Sequence, residues 1–500
     1  MRTWTLSRRA EAQDGPRQER DRRGTWLLIA VAGGVFIAAD DQTAVVTVLP
    51  ALIGDIGLTV DDLYLASWVV NGYLIGYIAA LPIVGRIADV YGRARVYAAS
   101  LVVFMVGSAL VAAAPGFEWL VVSRALQAVG GGAVVPVAMA IVVTELPPGR
   151  RLLGLGAIAA ASEAGALVGP LWGGAITELM GWRWVFWWNL PLSLPFMYGA
   201  WRWAGREREG GAIDWPGAAL LALGLALLTI TLADDPIARR PWPLTLLLFA
   251  LVAALGAAFV ARQRAAPEPM LRLAMFRPRA AWASNAATLL LGAGLITMLI
   301  SVPLFVNLVL VESPIEGGLT LLRFTIAVPV GALAGGWLAG RFGLRTTATI
   351  GMWLGAAGFA GLLAWDRELS EAWRSLPQIA GGFGFGLVIA PLSAAVLARV
   401  REGERATAAS WLTLSRVAGM LVGAALLTSN GLGRFYARAG AIEFGSPEFT
   451  ALVAEAQVAT FREVWAVAAL VMVAAGVLTW LIGRRPREAG ERLSSWWEAH

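Results

Sequence analysis

LLGLGAIAAASEAGALVGPLWGGAI, Leu152–Ile176, is the stretch whose reading decides the fold. It is apolar for long enough to cross a bilayer, which takes about 20 residues. Near its middle stands one carboxylate, Glu163. A charge at that depth costs roughly 2.5–3.5 kcal/mol on insertion scales, and so marks a site of function with a partner elsewhere in the membrane. Gly165, Gly169, Gly173 and Gly174 allow another helix to approach closely, and Pro170 weakens the local backbone ladder. The stretch predicts a helix that moves against a neighbour and bears a titratable group.

The rest of the 500-residue chain has the same character: 58% of it is hydrophobic, which excludes an ordinary soluble protein. There is no cysteine, so disulfides and thiolate metal sites are excluded. The one histidine is His500, and every basic residue is arginine, which keeps its proton in proteins. A proton crossing this membrane domain must therefore ride mainly on Asp or Glu. The net charge of +6 fits arginines retained on cytoplasmic loops better than nucleic-acid binding, which is not expected. No cofactor or metal site is expected either.

Apolar runs place fourteen spans, at 26–49, 63–84, 95–114, 118–144, 152–176, 184–203, 215–233, 243–261, 280–311, 318–340, 346–365, 376–398, 406–431 and 464–482. The arginines concentrate on the side of the two tails, which predicts both termini in the cytoplasm. GRIADVYGR (Gly85–Arg93) recurs as GWLAGRFGL (Gly336–Leu344), the mark of parallel repeats in a transporter. The expected architecture is all-α and polytopic. A tail at 1–23 precedes a six-helix bundle at 24–205. An inserted two-helix hairpin follows at 206–279, then a second six-helix bundle at 280–483 and a tail at 484–500, basic and aromatic enough to lie at the membrane surface. Residues 1–23 resemble the start of a signal peptide, but the run that follows is too long and is kept as a span. The segment between Gly431 and Glu463 either extends the last spans beyond the bilayer or forms a simple loop.

Five motifs, in order and on the right sides, resemble the major facilitator superfamily in its 14-span drug:proton antiporter branch. DQTAVVTVLP (Asp41–Pro50) resembles its first-span signature and GRIADVYGRAR (Gly85–Arg95) its cytoplasmic loop. RALQAVGGGA (Arg124–Ala133) resembles its fourth-span signature, with Ala128 where glycine is usual. GALVGPLWGG (Gly165–Gly174) resembles its Gly-Pro motif, and WRWVFWWNLPL (Trp182–Leu192) is typical of the branch. Within it, Trp68–Arg86 and Ala161–Gly173 resemble the mycobacterial triacylglycerol exporters, also described as efflux pumps.

Asp40 and Asp41 are about 100° apart on a helix, so one of them at most faces the central cavity; family spacing favours Asp41. Asp41, Glu163 and Arg416 fall at one depth, which predicts that Arg416 holds Glu163 or Asp41 across the cleft between halves. The alternative is a static pair that orders the bundle. The resemblance implies that Arg124 serves the proton relay or stabilises the fourth span, although Arg124 can also simply snorkel. It further implies that Gly85, Arg86, Asp89, Gly92 and Arg93 form a latch favouring the outward-open state. Gly340, where Asp89 stands in the first copy, predicts a weaker or absent second latch.

The expectation is a monomeric proton-coupled exporter of hydrophobic or amphipathic molecules in a bacterial inner membrane. Whether the cargo is a drug or a lipid passed to a periplasmic carrier lipoprotein stays open. A membrane-embedded enzyme would show clustered acids or histidines at a membrane face, and a channel would not need two latched halves.

Overall fold

A computed structural model describes residues 2–56, 63–205, 210–233, 241–311, 314–365, 371–427, 431–439 and 449–483. The described backbone is helical throughout, with short turns and no strand. In hydrocarbon each backbone N–H and C=O must be satisfied within its own segment, so a chain this apolar folds as helices. They are α1 (Arg2–Ile56), α2 (Leu63–Tyr91), α3 (Arg93–Ala112), α4 (Phe117–Glu145), α5 (Pro148–Met180), α6 (Arg183–Trp203), α7 (Trp215–Ala233) and α8 (Trp242–Ala265). There follow α9 (Arg279–Leu308), α10 (Pro314–Phe342), α11 (Leu344–Leu362), α12 (Glu371–Leu397), α13 (Arg405–Leu426), α14 (Leu432–Ala439) and α15 (Phe449–Leu478).

Twelve of these helices are long and apolar enough to cross a membrane, against fourteen expected from sequence. The two that fall short on apolarity are α6 and α11. The first carries Arg183, Asn189, two prolines and Arg202; the second carries Arg345 and three threonines. Residues 2–23, expected as a separate tail, continue α1 as helix. The segment before the last span extends it: α15 starts at Phe449, well ahead of residue 464, and α14 is tied to it by Arg434–Glu463 at 2.6 Å and Arg438–Thr460 at 2.9 Å. The tail at 484–500 lies outside the described residues.

Helix α1 packs along α5 and α6, α3 against α4 and α6, and α2 against α4. In the second part α10 and α11 flank α12, and α9 packs on α13 and α15. Between the two parts, α5 meets α10 and α12, and α13 meets α2 and α4. The α5–α10 crossing is made by backbones: a Cβ on Gly156 would stand 2.7 Å from the Ala332 carbonyl, and one on Gly336 would stand 3.2 Å from Leu153 Cα. Small residues at such crossings are what lets membrane helices gain dispersion contact in place of a hydrophobic drive.

Helices α7 and α8 pack on each other, and α7 lies on α2. Their ends are pinned by buried Asp214, which accepts from Gln263 Nε2 and Arg262 Nε, both at 3.0 Å. Trp411 of α13 sits between Phe259 of α8 and Phe276, with ring centroids 6.5 and 5.9 Å away. The outer face of α8 exposes Leu246, Leu247 and Trp242, as a lipid-facing helix does.

Candidate functional site

A cavity of about 190 Å³ lies between α1, α2, α4 and α5 on one side and α9, α12 and α13 on the other. Its wall is mostly apolar, with Tyr77, Met139, Leu295 and Met420 beside Gln42 and Thr43. Glu163 and Arg416 both line it, and Arg416 NH2 donates to Glu163 Oε1 at 2.5 Å. Their side chains are 12% and 21% exposed, so the pair stands at the cavity edge and is not sealed in the packing. A charged pair in such a setting gains little net stability, because desolvation offsets most of the attraction.

Asp41 goes elsewhere. It is fully buried and lines no part of this cavity. Arg124 NH1 donates to Asp41 Oδ2 at 2.9 Å, while Gln127 Nε2 and Asn189 Nδ2 donate to Oδ1 at 2.9 and 2.6 Å. Gln127 and Asn189 also reach Ser108 Oγ, at 2.7 and 3.2 Å. The Arg124 guanidinium lies 4.4 Å from the centre of the Tyr73 ring and 5.5 Å from that of Phe186. Four helices of the first part thus close one polar knot, in which each charge has a partner and further hydrogen bonds. The shared-depth expectation of three meeting charges is replaced by two separate pairs, since depth along a helix says nothing about rotation around it. Asp40 likewise lines no part of the cavity, although its neighbours Ala39 and Gln42 do. Arg323 pairs outside the cavity, with Glu371.

Gln127 and Asn189 were visible in the sequence but not assigned. Each sits inside a quoted motif, three residues after Arg124 and in the WWN step of α6. An amide beside a buried arginine motif was the signal.

The small residues of α5 lie against α1. Backbone of α1 at Phe36, Asp40 and Ala44 would meet a Cβ on Gly165, Gly169 and Gly173 respectively. Thr47 Oγ1 donates to the Pro170 carbonyl at 3.1 Å. Gly174 does not take part: nothing lies within 4 Å of where its Cβ would be.

At the end of the molecule where α2 finishes and α13 begins, Asp89 is buried. Its oxygens accept from the Ala406 and Thr407 backbone N–H groups at 3.1 and 2.9 Å, and from Thr407 Oγ1 at 2.9 Å. The residue that should cap α13, Glu404, makes no side-chain cap bond. Asp89 supplies that cap from another helix, placing a carboxylate at the positive end of α13. Arg93 holds Asp89 at 3.3 Å, donates to Thr144 Oγ1 at 2.9 Å and reaches the Glu402 carbonyl. Arg86 turns the other way, to the Ala212 carbonyl at 3.3 Å and Glu268 at 3.9 Å. Gly85 is in contact range of α13: a Cβ there would lie 2.8 Å from the Ala406 carbonyl and Thr407 Cα. Gly92 turns the chain with φ 99°, as its counterpart Gly343 does with φ 91°, a region that glycine enters without strain. In the second copy only the turn and the close approach recur. Gly340 has no side chain to cap α5, and a Cβ there would meet nothing nearer than Leu152 Cδ1 at 3.9 Å.

Among solved structures the fold is similar to the human organic anion transporter TETRAN, with TM-score 0.62 and 18% identity over 92% of this chain and 99% of that one. It is similar to a proton:xylose symporter at the same score, with 14% identity over 95% of this chain and 100% of that one. In sequence it is 34% identical to a triacylglyceride transporter of Mycolicibacterium smegmatis, over 93% of this chain and 89% of that protein. A triacylglyceride transporter of Mycobacterium tuberculosis is 32% identical, over 93% and 96%. The profile of the Major Facilitator Superfamily matches residues 31–424, and with the helical architecture above this establishes that the chain belongs to that superfamily of membrane transporters.

Proposed function

We propose that the protein is a proton-coupled exporter that moves a triacylglycerol-like lipid, or an equally apolar compound, by alternating access between residues 24–205 and 280–483. The observation that carries this reading is the Glu163–Arg416 pair, which joins α5 to α13 across the wall of an apolar cavity. Arg416 cannot discharge. When the two parts separate at this level, Glu163 loses its counter-charge in a low-dielectric site, and a carboxylate in that position takes up a proton. Proton movement is thereby tied to the tilting of the parts.

Lipid cargo is favoured over drugs by the mycobacterial relatives named for triacylglyceride transport and by a cavity lined with Met and Leu. Delivery to a periplasmic carrier lipoprotein belongs to the same reading. Helices α6 and α11 complete fourteen spans, since each packs along helices that do cross: α6 on α1 and α3, α11 on α12 and α15. The excess of arginine on the tail side then puts both termini and the Asp89 latch in the cytoplasm of a bacterial inner membrane. The protein acts as a monomer.

Purified protein in liposomes with an imposed pH gradient and a pyrene-labelled triacylglycerol tests this. Wild type moves the label with the gradient, and Glu163→Gln and Arg416→Ala do not. Normal gradient-driven movement in both variants refutes the role of the pair. A dye moved in place of the lipid assigns the cargo to drugs.

A further inference from the structure

The first helix holds two adjacent carboxylates inside the membrane, and they are treated in opposite ways. Asp41 accepts three side-chain hydrogen bonds and stands 2.9 Å from a guanidinium. Both of its oxygens thus have donors. Asp40 is 7% exposed, and its Oδ1 is buried with no hydrogen-bond partner among the described residues. An ionised carboxylate in that position is costly, and binding a proton removes the cost.

Among the described residues no ion pair to Asp40 is formed, and the arginines inside the neighbouring helices are paired elsewhere. Arg124 of α4 is committed to Asp41, and Arg416 of α13 to Glu163. From α2 come Tyr73, whose ring is taken by Arg124, and Tyr77, which lines the cavity. Tyr97 of α3 donates to the Val31 carbonyl at 2.8 Å. Helix α6 presents Asn189 to Asp41, and its charged residues, Arg183 and Arg202, lie at its ends. The charge next to it in the chain is Asp41, of the same sign.

The position also has a mechanical neighbour. The Asp40 turn is where α5 runs against bare backbone: a Cβ on Gly165 would stand 3.0 Å from Asp40 N, and one on Gly169 would run into the Asp40 carbonyl. Helix α5 is the one that bears Glu163. A charge appearing on Asp40 demands solvent or a donor, and the hydroxyls at this seam are turned elsewhere, Thr43 Oγ1 to the Asp40 carbonyl at 3.2 Å and Thr47 Oγ1 to the Pro170 carbonyl at 3.1 Å; parting α1 from α5 is the way to supply one.

We propose that Asp40, and not the motif residue Asp41, is the acid of α1 that takes up and gives up the transported proton, and that its state sets the packing of α5 on α1. This rests on the coupled-transport reading above and adds a second proton-binding carboxyl to Glu163. The proton comes from water on one side, binds the Asp40 carboxylate, and leaves to water on the other.

Infrared spectroscopy of the purified protein at neutral pH tests it directly. Wild type should show the C=O stretch of a buried protonated carboxyl, lost in Asp40→Asn and retained in Glu163→Gln. In liposomes, Asp40→Asn should move pyrene-labelled triacylglycerol at a rate that no longer responds to a pH gradient. A band that survives in Asp40→Asn, or transport that responds to the gradient as wild type does, overturns the assignment. So does failure of Asp40→Asn to fold, because a site that is uncharged in the resting protein accepts the uncharged isostere. If wild-type transport itself ignores the gradient, coupled transport is what fails, and the infrared comparison still decides whether Asp40 holds a proton.

Discussion

The interior of the first six helices and the seam between the two parts of the molecule both hold charge, and they hold it differently. Inside α1–α6, Asp41 and Arg124 are 0% and 1% exposed and are locked by Gln127, Asn189 and Ser108. At the seam, Glu163 and Arg416 meet at the edge of a cavity, and Asp89 is tied to the end of α13 rather than to a second core charge. The first group is sealed, and Asp41 and Arg124 line no part of the cavity. Each link of the second group joins elements that a transporter must pull apart, so it has to be strong enough to choose a state and weak enough to release it.

The sharpest way to break this contrast is to remove a charge from the knot. Arg124→Ala leaves Asp41 buried without its cation, which costs about 3–5 kcal/mol. The variant should give poor yield or a clearly lowered unfolding temperature in detergent; a stable Arg124→Ala would show that the knot is no more structural than the seam. A smaller effect is expected at the latch. Asp89→Asn keeps the shape but weakens the charged cap of α13, a change of about 1 kcal/mol. That suffices to redistribute two access states about fivefold. Single cysteines placed below the cavity should label faster in Asp89→Asn, and because the chain has no cysteine of its own the background is nil. Unchanged labelling would remove the latch from the seam's working parts. The smallest change in stability belongs to Glu163→Gln, within about 1 kcal/mol, since desolvation already offsets most of the attraction in such a pair. Thermal unfolding beside the transport assay checks this: a large loss of stability would move Glu163 and Arg416 into the same class as the knot.

Much of this was legible in the sequence. The apolar runs gave the long helices, the repeat at Gly85 and Gly336 gave the paired turns, and Glu163 with Arg416 was nameable as a pair because only a few charges lie in oil. What could not be read was rotation. Asp40 and Asp41 differ by one step along the chain, yet one is saturated with donors and the other has none on Oδ1. Arg416 was open to Glu163 or Asp41, and Arg124 to a relay, a structural role or snorkelling, until packing paired Arg416 with Glu163 and Arg124 with Asp41. Apolarity and packing also part company at α6, which falls short on apolarity and devotes Asn189 to the knot. Gly174 shows the converse error, a motif glycine with no neighbour to justify it.

The bond between Asp89 and α13 has a consequence for how its loss would be recognised. Two of its three donors are main-chain amides at positions 406 and 407, which every residue except proline supplies. Exchanging the side chains there leaves the amides in place, and only Thr407 adds a hydroxyl. A search for compensating pairs of substitutions would therefore see little of this lock, because on the α13 face only the Thr407 hydroxyl belongs to a side chain.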